Sequence, residues 1–202
     1  MTRITRHAAL LLALSTAAAD VRAQQPTPPR DETLRAELLV RGQKDQEARE
    51  PFLAGFPDSI SLVAMNAVDV SNTTFLKRVV AERGWPGVSL VGRDGEQAAF
   101  LILQHATLDT AFMAQTLPLL ERAYAAKEAE GQQVALLTDR VARQRGQPQR
   151  YGTQASIVGG RFVLDPIADS ANVDRRRAQL GMPPVARYMQ LLDSLYRGLG
   201  KP

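Results

Sequence analysis

Two histidines occur in the chain, His7 and His105, and only His105 lies outside the first 23 residues. Its side chain alone would titrate near neutrality without perturbation, which makes it the natural general base. Such a base needs a carboxylate to fix the imidazole, and Asp139, at the edge of its helix's apolar stripe, can reach inward to orient it. Gln104, Arg140 and Tyr151 are the groups able to steady developing negative charge, with Thr153 as the nucleophile of such a site. Each residue also has a plainer reading. A lone histidine beside an apolar helix often serves as a hydrogen-bonded structural residue. Asp139 can pair with Arg143 one turn on, and Arg140, about 100° further round, can clamp an anion or face water.

Gln149, Tyr151, Thr153 and Gln154 crowd hydrogen-bonding groups together, with Gly152 permitting a turn or a close backbone approach. That density suits a recognition loop or a network anchoring the loop to the helices. Arg175, Arg176 and Arg177 form a basic run. Such a run is usually solvated, although one member can turn inward to Asp139 or Asp174. Trp85 is a candidate wall of the same cleft, and Arg176 a candidate ligand contact. No phosphate-cradling glycine loop, Gly-x-Ser-x-Gly elbow, zinc-spaced histidine pair or calcium loop is present, so no cofactor or metal is expected.

Positioning these groups calls for a mainly helical domain with one small hairpin. Leu34, Leu38 and Leu39 share a helix face after Asp31, a candidate cap. On that helix Asp45 and Arg49, one turn apart, read as a solvated ion pair. Pro51 and Pro57 break the chain before a helix with Phe75, Leu76, Val79 and Val80 as its core, ended by Gly84 and Pro86. Phe100 to Leu103 are apolar all round a helix, which implies enclosure by others, and Gln104 and His105 on the same helix must then find polar partners. Asp109 caps a further helix interrupted at Pro118, which either kinks it or opens a new first turn. Val134, Leu137, Thr138 and Val141 mark an amphipathic helix. Ala155 and Ile157 should share a face with Phe162 and Leu164 across a Gly159, Gly160 turn. A short helix from Val173 to Leu180 ends at Gly181. A last one follows Pro183 and Pro184, with Val185, Tyr188, Leu192, Leu195 and Leu199 on its docked face.

The chain opens with Arg3, Arg6 and His7, an apolar run from Ala8 to Ala19, and the Val21, Arg22, Ala23 sequence of a signal peptidase site. Residues 1–23 therefore read as a secretion signal cleaved after Ala23, residues 24–30 as a proline-rich linker, and residues 31–202 as one helical domain. Removing the signal lowers Lys plus Arg from 25 to 22 and Asp plus Glu from 21 to 20, leaving a net charge of +2. So small a charge does not build the field of a nucleic-acid binder. The absence of cysteine excludes disulfides, thiolate metal sites and a cysteine nucleophile. Outside the signal no run approaches the roughly 18 apolar residues of a membrane span. These features fit a secreted or periplasmic protein whose partner is a small ligand or an envelope protein.

The order of the motifs resembles an uncharacterised bacterial family, domain of unknown function 6624, from about Leu34 to Tyr188. The resemblance rests on Asp45, Gln46 and Arg49; Gly84, Trp85 and Pro86; Val91 and Gly92; Gln104 and His105; and Asp139 and Arg140. It continues through Gln149, Tyr151 to Gln154, Pro166, Val173, Asp174, Arg176 and Arg177. Phe100 stands where the family often has tryptophan, and Thr107 where an aspartate commonly follows the histidine, which weakens any role for that acid here. The resemblance implies a shared fold and a shared polar site. Two functions follow from these readings: binding of a small ligand or partner in a polar cleft around His105, or envelope hydrolysis with His105 as base oriented by Asp139.

Overall fold

In the computed structural model, residues 29–53, 58–158 and 161–195 are described. The expected secretion signal, most of the expected linker, the expected turn at Gly159 and Gly160, and Leu199 lie outside these segments. The chain is mainly α-helical, with one antiparallel two-stranded hairpin among the described residues.

Helix α1 (Glu32–Glu47) starts where Asp31 accepts the Leu34 N–H at 2.9 Å, so the expected cap is present. A single turn, α2 (Glu50–Leu53), precedes α3 (Ser59–Arg83), which begins well before its core residues and exposes Ile60 and Val63 in its first turns. Gly84 ends α3 at φ 74°, a conformation that favours glycine. Helix α4 (Val88–His105) is broken at Gly92, φ 75°, so the uninterrupted part that carries Gln104 and His105 begins at Arg93.

The apolar run of α4 is enclosed as its composition requires. Phe100, Ile102 and Leu103 are buried, and the helix packs against α1, α3 and α6. Gly42 of α1 allows the tightest approach, since a Cβ there would lie 3.2 Å from the Ala98 Cβ. Helix α5 (Thr110–Ala125) is capped by Asp109 and continues through Pro118, so Pro118 does not open a new helix. Helix α6 (Gly131–Gln144) buries Val134, Leu137 and Val141, completing a core shared with Leu38, Leu76, Phe112 and Met113.

Strands β1 (Ala155–Val158) and β2 (Arg161–Leu164) pair Ala155 with Leu164 and Ile157 with Phe162, the register the alternation predicts. A 3-10 turn at Ser170–Asn172 leads into α7 (Val173–Gln179), and α8 (Val185–Leu195) follows. The last helix is docked: the Tyr188 hydroxyl donates to the Thr153 carbonyl at 3.0 Å, and Asp174 accepts the Val185 N–H at 2.7 Å.

Candidate functional site

Helix α4 ends at His105 because the chain leaves helical geometry at Ala106, which sets the imidazole at the junction of α1 and α4. Its Nδ1 lies 2.9 Å from both carboxylate oxygens of Asp45. The orienting acid is therefore Asp45, not Asp139. Asp45 is wholly buried, and Gln46 Nε2 donates to its Oδ2 at 2.8 Å. Arg49 Nη1 donates to the Asp45 carbonyl at 2.9 Å and forms an ion pair with Asp45 Oδ1 at 2.9 Å. Arg49 Nη2 donates to Asp69 Oδ1 at 2.7 Å, drawing a buried acid of α3 into the chain of charges.

The Asp45–Arg49 pair is thus interior, in contrast to the solvated pair its spacing alone predicts. Asp45, Arg49 and Asp69 together carry one negative charge, which an imidazolium at position 105 would neutralise. A ring whose Nδ1 faces a carboxylate holds its neutral-state proton there, leaving the Nε2 lone pair unengaged. The His105 side chain keeps 20% of its surface exposed, and Nε2 has no partner among the described residues.

Arg140 comes alongside from α6, donating from Nη1 to the Gln104 carbonyl. It has no carboxylate partner among the described residues. Burial, followed by the like charge of Arg143 and, more weakly, of Arg49, pushes its pKa below the ordinary guanidinium value, while Tyr188 acts in the opposite sense. Arg140 thus brings a partly desolvated positive charge to the C-terminal end of α4.

Asp139 serves a different end. Its carboxylate accepts the backbone N–H of Arg150 at 2.6 Å, of Tyr151 at 2.9 Å and of Thr153 at 2.9 Å, and the Thr153 hydroxyl at 2.9 Å. The residue is fully buried and pairs with neither His105 nor Arg143, which instead pairs with Asp165. Because the Thr153 hydroxyl proton is committed to Asp139, Thr153 is not a nucleophile activated by His105.

The remaining loop residues are likewise anchors. Gln149 Nε2 donates to the Gln154 and Asp165 carbonyls, and its Oε1 accepts the Gln154 N–H, so this side chain replaces a rung of backbone pairing. Gln154 Nε2 donates to the Thr153 hydroxyl at 3.1 Å. Arg176 donates to the Arg150 and Ala168 carbonyls and pairs with Asp169. Arg177 is the inward member of the basic run, but it donates to the Tyr151 and Pro183 carbonyls in place of a carboxylate. Tyr151 contributes backbone groups, its N–H to Asp139 and its carbonyl to Arg177.

Trp85 does not wall the His105 site. Its Nε1 donates to Glu96 Oε1 at 3.2 Å, and Gln133 Nε2 donates to Glu96 Oε2 at 2.9 Å. Glu96 and His105 are nine residues apart on α4, roughly 13 Å along the axis and on opposite faces. Desolvation is the main cause that raises the Glu96 pKa from 4.5 to about 7, against the lowering by its two donors and Arg93, while Glu130 adds to the rise. The folded protein therefore holds this proton more tightly than the unfolded chain. The resulting stabilisation is complete below pH 4.5 and is lost as the pH rises through about 7. Between pH 4.5 and 8, wild type should lose up to about 3 kcal/mol relative to Glu96→Gln, measured as the difference between their urea unfolding curves. A constant difference across that range would contradict the buried, proton-retaining carboxyl.

Asp69, Glu96 and Gln133 are absent from the sequence-level candidates. The one available signal for Asp69 is its position between Val68 and Val70 in an apolar stretch of the sequence. Among the described residues no cluster of three or more metal-ligating side chains occurs, and no helix is long and apolar enough to cross a membrane.

These features define a helical domain with a buried Asp–Arg–Asp cluster presenting one histidine. The chain matches the family of unknown function 6624 over residues 32–200 and belongs to it. No curated protein and no solved structure matches the chain.

Proposed function

We propose that this is an exported bacterial domain that binds a small, negatively charged ligand at the polar site around His105. The reading is carried by the pairing of His105 Nδ1 with Asp45, which leaves Nε2 unengaged on a partly exposed ring beside the unpaired charge of Arg140. An anion held by Arg140 can accept a hydrogen bond from a protonated Nε2, and the imidazolium is in turn balanced by Asp45. Export rests on the basic, apolar and small-residue segments of residues 1–23.

A second reading is favoured by the same dyad. In a cell-envelope hydrolase, His105 Nε2 would take a proton from an attacking water, Asp45 would hold the ring and stabilise the imidazolium, and Arg140 would meet the developing negative charge. Water is the nucleophile in this scheme because the Thr153 hydroxyl is occupied.

Thermal melting of wild type, His105→Gln and Arg140→Gln against inorganic phosphate, succinate and a set of envelope metabolites tests the binding function. A ligand at 100 times its Kd adds about 2.7 kcal/mol. The expected result is a rise in Tm for wild type that both variants lose while remaining folded. A rise retained by both variants would place binding elsewhere, and no rise with any compound would remove the small-ligand reading. Hydrolysis of a bound metabolite by wild type and not by His105→Gln would select the second reading.

A further inference from the structure

Trp85, displaced from the His105 site, lines the mouth of a different cavity. A cleft of about 900 Å³ opens between the start of α4 and the end of α5, with Arg30, Arg83, Trp85, Leu90, Leu119 and Arg122 in its lining. Its volume lies in the range of small-molecule sites. The indole is not a loose surface ring: Glu96 holds its Nε1 from inside the protein, and Gln133 holds Glu96. A ring fixed by its edge offers a preorganised apolar wall, and Leu90 and Leu119 extend it.

The charges in the lining are unequal. Arg83 is paired with Asp31, and Arg30 is held through Ser89, its Nη2 donating to the hydroxyl at 3.1 Å. The Arg122 side chain has neither an ion pair nor a hydrogen-bond partner among the described residues. The acid in the lining is Glu128, whose Oε2 already accepts the Ser89 N–H at 2.7 Å. With Arg83 neutralised by Asp31, the guanidinium groups of Arg30 and Arg122 remain against the single carboxylate of Glu128 in the lining.

We propose that this cleft is a second binding site, for an organic anion with a flat or apolar body. The body lies against Trp85 and the leucines, and the anionic group meets Arg122, with Arg30 and Arg83 near it. The site is separate from His105 in position and in chemistry, since it joins an aromatic wall to guanidinium groups and contains no histidine or aspartate–histidine pair.

The chain contains one tryptophan, so its emission reports on this wall alone. The full chain is titrated with 8-anilino-1-naphthalenesulfonate, an aromatic anion, and with N-phenyl-1-naphthylamine, a neutral compound of similar shape. The sulfonate should quench Trp85 emission saturably and bind at least five-fold more tightly than the neutral probe. Arg122→Gln, at an exposed position, should weaken the sulfonate at least five-fold, and His105→Gln should leave it unchanged. Unaltered Trp85 emission, equal affinity for both probes, or no effect of Arg122→Gln would each overturn the proposal. Loss of sulfonate binding in His105→Gln would overturn the separateness of the two sites.

Discussion

Asp139→Ala is expected to lower the melting temperature by about 8 °C or more. The lost carboxylate accepts from three backbone N–H groups and one hydroxyl, all in the segment that leads into the hairpin. An unsatisfied buried donor costs about 1 to 3 kcal/mol, so four of them give a loss of at least ~4 kcal/mol. In a domain of this size each kcal/mol moves Tm by roughly 2 to 4 °C. Calorimetry measures the shift, and NMR of the His105 ring at a temperature where the variant is folded separates structure from chemistry. The ring signals should match wild type. An unshifted Tm would contradict the anchoring role, and a changed imidazole titration would revive a direct Asp139–His105 connection.

The second large effect belongs to Asp45→Asn. This change removes the carboxylate shared by His105 and Arg49 and leaves the Arg49 guanidinium with Asp69 alone. Breaking a buried ion pair from one side costs about 3 to 5 kcal/mol. Urea unfolding should show that loss, and a double-mutant cycle with His105→Gln should show coupling of about 1 kcal/mol or more between the two positions. Additive effects within about 0.3 kcal/mol would indicate that the two side chains do not interact.

The contrast between these acids shows what a linear reading can and cannot deliver. Helix faces were legible because each depends on local spacing: Leu34 and Leu38 on α1, the all-apolar Phe100 to Leu103, and the stripe of α6 lie where periodicity places them. Caps at Asp31 and Asp109 were legible for the same reason. His105 stood out by chemistry. Its partner did not, because Asp45 lies 60 residues away and only the packing of α1 along α4 brings the two together. Spacing also made Asp45 and Arg49 look solvated, since sequence separation carries no information on what covers a helix face. Asp139 looked inward correctly, but the nearest unsatisfied donors belonged to its own downstream loop. Trp85 went to the other end of the helical layer because α4 turns Glu96 and His105 to opposite sides.

The hairpin segment shows a related limit. In the sequence Gln149, Thr153 and Gln154 fit either recognition or anchoring, and their hydrogen bonds run within the segment and to Asp139 of α6. Density of polar residues signals a network, but only the partners say whether any group is left over for a ligand. Around the C-terminal end of α4, among the described residues, His105 Nε2 has no partner and Arg140 has no carboxylate partner.

The most direct test is the tautomer of the neutral His105 ring, read from two-bond 1H–15N correlations above its titration range and assigned by comparison with His105→Gln. The proton should reside on Nδ1 in wild type and move to Nε2 in Asp45→Asn. A wild-type ring protonated on Nε2 would contradict the Asp45 pairing and, with it, the proposed role of Nε2 at this site.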